Sequence, residues 1–333
     1  MTPSMEEGAQ PVSAEAGKPP ASVPAATPAD IDASMKRARV AAGTWRDATL
    51  NTRIEHLGRL KNLLIQQTDD IVETITQATG KPAVEALASD LLVCVDVLDY
   101  YEKEAAAILA EQRRAGGGLY RLNRFRVRYE PFGVVVVIAP WNHPLQLSLG
   151  PLASALVAGY VVLLKPSEFT PSIGQLIEAH AKEAGLPSGV LQVLQGGGDV
   201  GQQLIAQAPD LVFFTGSVPT GRAVMKAAAE HPIPVHLELG GKDPMIVFAD
   251  AQLERAARGA VWGAFANAGQ NCVGVERLYV QRGIYERFVA RVTAEAGRLR
   301  VGSGREADLG PLIRQAQGPE IQRLMDDALA KGA

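Results

Sequence analysis

A carboxylate and a thiol stand at opposite ends of residues 235 to 277, Glu238 in VHLELGGKDP and Cys272 in FANAGQNCVGVER. Each lies beside glycines, which let backbone come close to a ligand. A thiol on such a loop could be a nucleophile, because thiolate is far more reactive than hydroxyl and a polar, donor-rich loop can lower its pKa. Either residue alone has a plainer reading, because cysteine is among the most buried residue types and a lone glutamate at a strand end is ordinary.

The local pattern positions both groups. Val235, Leu237 and Leu239 alternate with His236 and Glu238 as in a short strand, and Gly240-Gly241 would end it. Glu238 then lies at a strand end, where α/β folds carry their chemistry. Leu253, Ala256, Ala257, Ala260, Val261, Ala264 and Phe265 recur at helical spacing over 251–265, and the helix hands over to the loop that holds Cys272.

Upstream, short runs rich in β-branched residues at 134–139, 161–164, 190–194, 211–215 and 235–237 alternate with helical patterns at 147–158, 172–184, 200–208 and 220–229. Continuously apolar strands separated by helices predict a parallel sheet covered on both faces, a Rossmann-type nucleotide domain. Gly196-Gly197-Gly198-Asp199-Val200-Gly201 satisfies G-x-G-x-x-G in form. It follows the third strand rather than the first, with no acidic residue at a clean strand end about 20 positions on, so it reads as a tight strand-to-helix turn near the adenine end of a cofactor. Phe214-Thr215-Gly216-Ser217, with Gly221 one turn on, is the better phosphate candidate, since Gly216 allows close approach and Ser217 can cap the helix or donate to a phosphate oxygen. After the second strand, Lys165 and Glu168 of KPSE can face one ligand as donor and acceptor. After the first, two prolines fix the backbone around Asn142 in PWNHP. His143 reads as packing.

Length and composition bound the rest. A chain of 333 residues with 47% hydrophobic content exceeds the roughly 250 to 300 residues at which single cores stop growing, so two domains are expected. A net charge of −3 gives no global attraction to nucleic acid or anionic membrane. The sequence shows no signal peptide and no apolar run of about 18 residues, which predicts a cytoplasmic protein without membrane attachment. Two cysteines are too few for a disulfide framework; Cys94, among Leu91, Leu92, Val93, Val95 and Leu98, reads as core. No Cys or His pair has metal-ligand spacing. Residues 1–29, rich in Pro, Ala, Ser, Thr and Gly, read as a disordered tail, and the pattern is helical from 30 to 111. Over 121–133, Arg124, Arg126 and Arg128 alternate with Phe125, Val127 and Tyr129, which predicts a strand with one basic and one apolar face.

LELGGKDP (237–244) followed by FANAGQNCVGVER (265–277), preceded in order by PWNHP, KPSE and FTGS, resembles the aldehyde dehydrogenase superfamily from about Ile31 onward. The resemblance implies an α/β fold with an NAD-binding domain at 30–115 and 132–238, an oligomerisation hairpin at 116–131 and a catalytic domain from 239 to 333. It implies Cys272 as nucleophile, Glu238 as general base and Asn142, with the Cys272 amide, as an oxyanion hole. The implied cofactor set is Ile138, Ala139, Pro140, Trp141, Lys165, Ser167, Glu168, Gly198, Gly201, Phe214, Thr215, Gly216, Ser217, Gly221, Leu239 and Gly240, with no metal. A carboxylate at Glu168 favours NAD, and NADP is the alternative cofactor. The implied partner is a small-molecule aldehyde.

The family normally continues beyond the last helix of this chain, which starts at Pro319. The catalytic domain is therefore expected to be incomplete, and the family's homo-oligomer to lack its terminal strand here. The expected reaction is NAD(P)-dependent oxidation of an aldehyde to a carboxylic acid. The alternatives are a catalytically incomplete dinucleotide-binding fragment that acts with a partner, and a CoA-acylating relative, which the presence of Glu238 disfavours.

Overall fold

The computed structural model describes residues 23–302 and 306–332. The helical region opens with α1 (Pro28–Asp47), α2 (Leu50–Gln66), α3 (Thr68–Thr79) and α4 (Ala83–Glu85). A π-helical turn over Ala86–Leu91 leads into α5 (Leu92–Ile108). Residues 1–22 of the expected tail lie outside the described residues, but its last part is ordered. Thr27 caps α1 in a reciprocal capping box with Asp30, and the Ala26 N–H donates to the Gln195 carbonyl at 2.8 Å.

After α5 a two-stranded antiparallel ribbon pairs β1 (Gln112–Arg114) with β2 (Phe125–Val127). The strand expected over 121–133 is thus three residues long, and its partner begins before residue 116. All three β2 residues are exposed, so the alternation of arginine with apolar residues does not sort into a covered and an open face. An isolated ribbon has no second layer to stabilise longer pairing.

The central sheet is built from β3 (Val134–Ile138), α6 (Pro144–Ala158), β4 (Val161–Lys165), α7 (Pro171–Glu183), β5 (Leu191–Val193), α8 (Gly198–Ala206), β6 (Leu211–Thr215), α9 (Val218–Ala229) and β7 (Val235–Glu238). All its pairings are parallel, in the order β5-β4-β3-β6-β7. Every residue of β3 and β4 is buried, the signature of a sheet covered on both faces. On one side α1 packs against β4, and Trp45 Nε1 donates to the Leu156 carbonyl at 3.1 Å. The chain runs outward from β3 through β4 to β5, then returns to place β6 on the other side. The crevice between β3 and β6 is therefore the topological switch point.

A second, smaller unit follows, in which β8 (Asp243–Val247), α10 (Leu253–Phe265) and β9 (Val275–Val280) form a parallel βαβ motif, and α11 (Tyr285–Ala296) packs on α10. Its core, built on Val247, Ala257, Ala260, Ile284 and Phe288, is separate from the large cluster that runs from Ile31 to Ile233. The last element is α12 (Gln317–Ala330).

Candidate active site

The parallel register brings four strand ends into one row. Ile138 lies opposite both Lys165 and Phe214, and Thr215 lies opposite Glu238. Above this row opens a cleft of about 740 Å³. Cys272, Glu238 and Asn142 all line it, as do Ile138 to Trp141, Lys165, Ser167, Glu168, Gly198, Gly201, Phe214 to Ser217, Leu239 and Gly240. Gly221 is the exception. A Cβ there would sit 2.7 Å from Leu239 Cδ2, so this glycine lets α9 pack against Leu239 and does not face the cleft.

Cys272 is exposed on the loop after α10. That loop turns sharply: Asn267 and Ala268 are left-handed at φ 54° and 56°, and Gly269 follows at 73°. Two consecutive non-glycine residues in this region cost energy that the surroundings must offset. Asn267 supplies the offset. It is buried, its N–H donates to Glu85 Oε1 at 2.9 Å, and its Nδ2 donates to the carbonyls of Asn142 at 3.0 Å and Gln270 at 3.2 Å.

Asn142 is held from both ends. Its Nδ2 donates to the Gln270 carbonyl at 3.0 Å, and its own carbonyl also accepts from Lys81 Nζ at 2.8 Å. Lys81 is 2% exposed and pairs at 2.8 Å with Asp90, which is fully buried. The π-helical turn carries Asp90 inward, where its Oδ1 accepts from the N–H groups of Leu145 and Gln146 in the first turn of α6. That helix has no side-chain cap of its own, and Pro144 at its start has no N–H to satisfy, so a carboxylate from another element does the capping. Burial pushes the Asp90 carboxyl up, yet His143 and Lys81 together hold it below the ordinary carboxylate value. Lys81 carries more of this effect, since His143 Nδ1 lies 3.7 Å from the carboxylate, beyond hydrogen-bond reach.

Glu238 is hydrogen-bonded to a neighbour on its own strand. Its Oε1 lies 2.9 Å from His236 Nε2, and the imidazole stacks on Phe213 with ring centroids 4.6 Å apart. Residues two apart on a strand share a face, so the alternation at 235–239 contained this pairing. Glu238 lines not only the cleft but also a groove of about 330 Å³ between α5 and α6, bounded by Val93, Val97, Gly150, Pro151, Ser154 and Phe213.

At the other end of the cleft, Lys165 is buried and its Nζ donates to the Gly196 carbonyl at 2.9 Å and to Glu168 at 3.5 Å. Burial pulls its ammonium below the ordinary lysine value, opposed by the Glu168 carboxylate. Gly196 has φ 140°, and a Cβ there would meet Val200 at 2.4 Å, so the glycine run at 196–201 is a tight turn into α8. Ser217 caps α9, its Oγ accepting from the Thr220 N–H at 3.3 Å. Two lining residues, Arg314 and Gln317, come from a segment that carries no local sequence signal of a site. Among the described residues no cluster of three or more His, Cys, Asp or Glu is arranged to hold a metal, and no helix is long and apolar enough to cross a membrane.

Comparison with known proteins bears on the family and the fold. The profile of the aldehyde dehydrogenase family matches residues 2–333. The 4,4'-diapolycopene aldehyde oxidase of Methylomonas sp is 44% identical over 311 residues, which cover 93% of this chain and 59% of that protein. Among solved structures, a Mycobacterium tuberculosis aldehyde dehydrogenase complexed with NAD+ is 33% identical with a TM-score of 0.89, covering 93% of this chain and 65% of that one. An E. coli NADP-dependent enzyme is likewise 33% identical with a TM-score of 0.88, covering 93% and 64%. The chain thus spans about three fifths of the length of these relatives. A profile match over nearly every residue, with the sheet order and the strand-end cleft described above, identifies the chain as a member of the aldehyde dehydrogenase family.

Proposed function

We propose that this chain carries the cofactor cleft and the reacting side chains of an enzyme that oxidises an aldehyde to a carboxylic acid. The observation that carries the reading is the convergence of Cys272, Glu238 and Asn142 on one cleft at the switch point of a parallel sheet. The residues there suit a dinucleotide: Ser217 at the start of a twelve-residue helix for phosphate, Glu168 as acceptor for a ribose hydroxyl, and buried unpartnered atoms Arg314 Nε and Gln317 Oε1 at the rim. Relatives include both an NAD+ complex and an NADP-dependent enzyme. Glu168 favours NAD here, because a carboxylate accepts from a free 2′-hydroxyl and repels a 2′-phosphate.

In the proposed reaction the Cys272 thiol, exposed to solvent, gives its proton to water; the thiolate Sγ then forms a bond to the aldehyde carbon and the carbonyl π electrons move to oxygen. One N–H of Asn142 Nδ2 is bonded to Gln270, which leaves the other, with the Cys272 N–H, to donate to that oxyanion. Bound NAD supplies the acceptor for the hydride lost from carbon, which leaves a thioester on Cys272. Glu238, oriented by His236, takes a proton from water, the water oxygen attacks the thioester, the C–S bond breaks and the acid leaves.

The α5–α6 groove meets the cleft at Leu147, Thr215 and Glu238. Its valines, Gly150 and Pro151 suit the tail of an apolar aldehyde, and the name of the Methylomonas relative specifies 4,4'-diapolycopene aldehyde. The purified chain, given NAD and apolar aldehydes, is expected to form NADH. Cys272→Ala should abolish formation with NAD binding retained, and Glu238→Gln should release one equivalent and stall. NAD binding without turnover by the wild-type chain would favour the fragment reading instead. That reading also draws on the exposure of Ile246, Phe248 and Trp262 around the second core.

A further inference from the structure

Of the described residues lining the cleft, only Lys165 and Arg314 carry positive charge. Lys165 is engaged by the Gly196 carbonyl and the Glu168 carboxylate. Arg314 has neither kind of partner. Its guanidinium carbon lies 4.8 Å from the Phe169 ring centroid and 6.0 Å from that of Trp141, and its Nε is buried without a hydrogen-bond acceptor. No ion pair to it occurs among the described residues. A guanidinium stacked on aromatic rings is oriented at low entropic cost, and a partly desolvated cation without a carboxylate gains most from an incoming anion.

The position of Arg314 is set by the segment before it. The Ile313 N–H donates to Gln270 Oε1 at 2.9 Å, two residues from Cys272. On the other side, Gly310 lies so close to the α3–α4 turn that a Cβ would stand 2.6 Å from the Gly80 carbonyl oxygen and 2.9 Å from Lys81 Cα. Residues 310–313 are therefore threaded between two fixed loops. Trp141 and Phe169 follow the adjacent strands β3 and β4, so the guanidinium stands over the strand ends that a dinucleotide crosses. The reacting groups Cys272 and Glu238 belong to other elements, the loop after α10 and the end of β7.

We propose that Arg314 pairs with the diphosphate of the dinucleotide, its planar fork supplying the positive charge that Lys165 does not. This rests on the reading of the cleft as a dinucleotide site. The guanidinium also closes that site, because its aromatic contacts join the segment entering α12 to the β3 and β4 loops.

The test is equilibrium binding of NAD, NADP, ADP and adenosine to the 333-residue chain and to Arg314→Met, Arg314→Ala and Arg314→Lys. Methionine keeps contact with the rings without charge, and unchanged thermal unfolding establishes that a variant is folded. The expected result is a loss of roughly ten- to a hundredfold for NAD and ADP in the Met and Ala variants, the range for charge-assisted hydrogen bonds, with adenosine binding unchanged. Lysine should restore part of the loss, since it returns charge but not the fork. If the wild-type chain binds NAD and the Met and Ala variants bind it equally well, the assignment of Arg314 is wrong and the cleft reading stands. A parallel loss of adenosine, or a loss confined to NADP, also overturns the diphosphate assignment. If the wild-type chain binds neither NAD nor ADP, the cleft reading itself fails and takes this inference with it.

Discussion

Asn142 Nδ2 and the main-chain carbonyl of Gln270 are joined by a 3.0 Å hydrogen bond across 128 positions of sequence. The loop that ends β3 and the loop that presents Cys272 are therefore one structure. Asn267 closes it, since its Nδ2 donates to both the Asn142 and the Gln270 carbonyls. Any substitution that loosens this junction should change the surroundings of Cys272 without touching the sulfur.

Asn267 offers a direct check. Asn267→Gly tolerates the left-handed backbone but loses the side-chain bonds, and is expected to cost about 1–3 kcal/mol. Asn267→Ala loses the same bonds and, unlike the glycine variant, keeps a Cβ in the left-handed region, which places it about 1–2 kcal/mol below that variant. Urea unfolding of the two variants should rank them in that order, both below wild type.

Lys81 should be among the most sensitive positions in the chain. Lys81→Met leaves Asp90 buried without its counter-charge, and is expected to destabilise the fold by about 3–5 kcal/mol. The same change removes a donor from the Asn142 carbonyl. Chemical denaturation measures the first effect, and the alkylation rate of Cys272 reports the second.

Acid should erode the same contact. The folded-state pKa of Asp90 lies below the ordinary 3.8, so between those values the unfolded chain binds a proton that the native chain does not. The stabilisation is complete above the ordinary value and is lost as pH falls through the folded one. Asp90→Asn should accordingly be less stable than wild type at neutral pH, with the gap narrowing as pH drops below about 4. Urea midpoints over a pH series would decide it, and a constant gap would refute the account.

The two thiols should react very differently. Cys272 is exposed, whereas Cys94 is 1% exposed, and burial, with the Asp90 carboxylate, pushes its thiol well above the ordinary value. Iodoacetamide should therefore alkylate Cys272 in the native chain and Cys94 only after denaturation, as read by peptide mass spectrometry. Saturating NAD should slow the first reaction, because Cys272 shares its cleft with the candidate cofactor residues.

The five strands of the central sheet and the helices between them were legible because buried parallel strands read as unbroken apolar runs. Predicted boundaries fall within a few residues of the observed ones; the strand at 211–215 coincides with Leu211–Thr215. The strand at 121–133 shrank to Phe125–Val127, because alternation signals a two-faced strand only when a sheet exists to cover one face. Strands β8 and β9 were passed over. Their runs, DPMIV and VERLYV, are interrupted by proline and charged residues, and they pair with each other across α10 rather than joining the central sheet.

What the sequence determined by itself was local: the strand-helix alternation, the turn at Gly196, the cap at Ser217, the strand-end position of Glu238 and the loop position of Cys272. Each follows from residues within a few positions of one another, where side-chain periodicity and backbone preference act directly. Only the tertiary structure decided which distant groups meet. Lys81 reaches Asn142, Asp90 caps α6, Asn142 bonds to Gln270, and Arg314 stacks on Phe169 without a carboxylate partner. A lysine, an aspartate or an arginine can satisfy itself in many ways along an extended chain. Packing leaves one arrangement, because a buried charge or amide is stable only where its partner is already fixed.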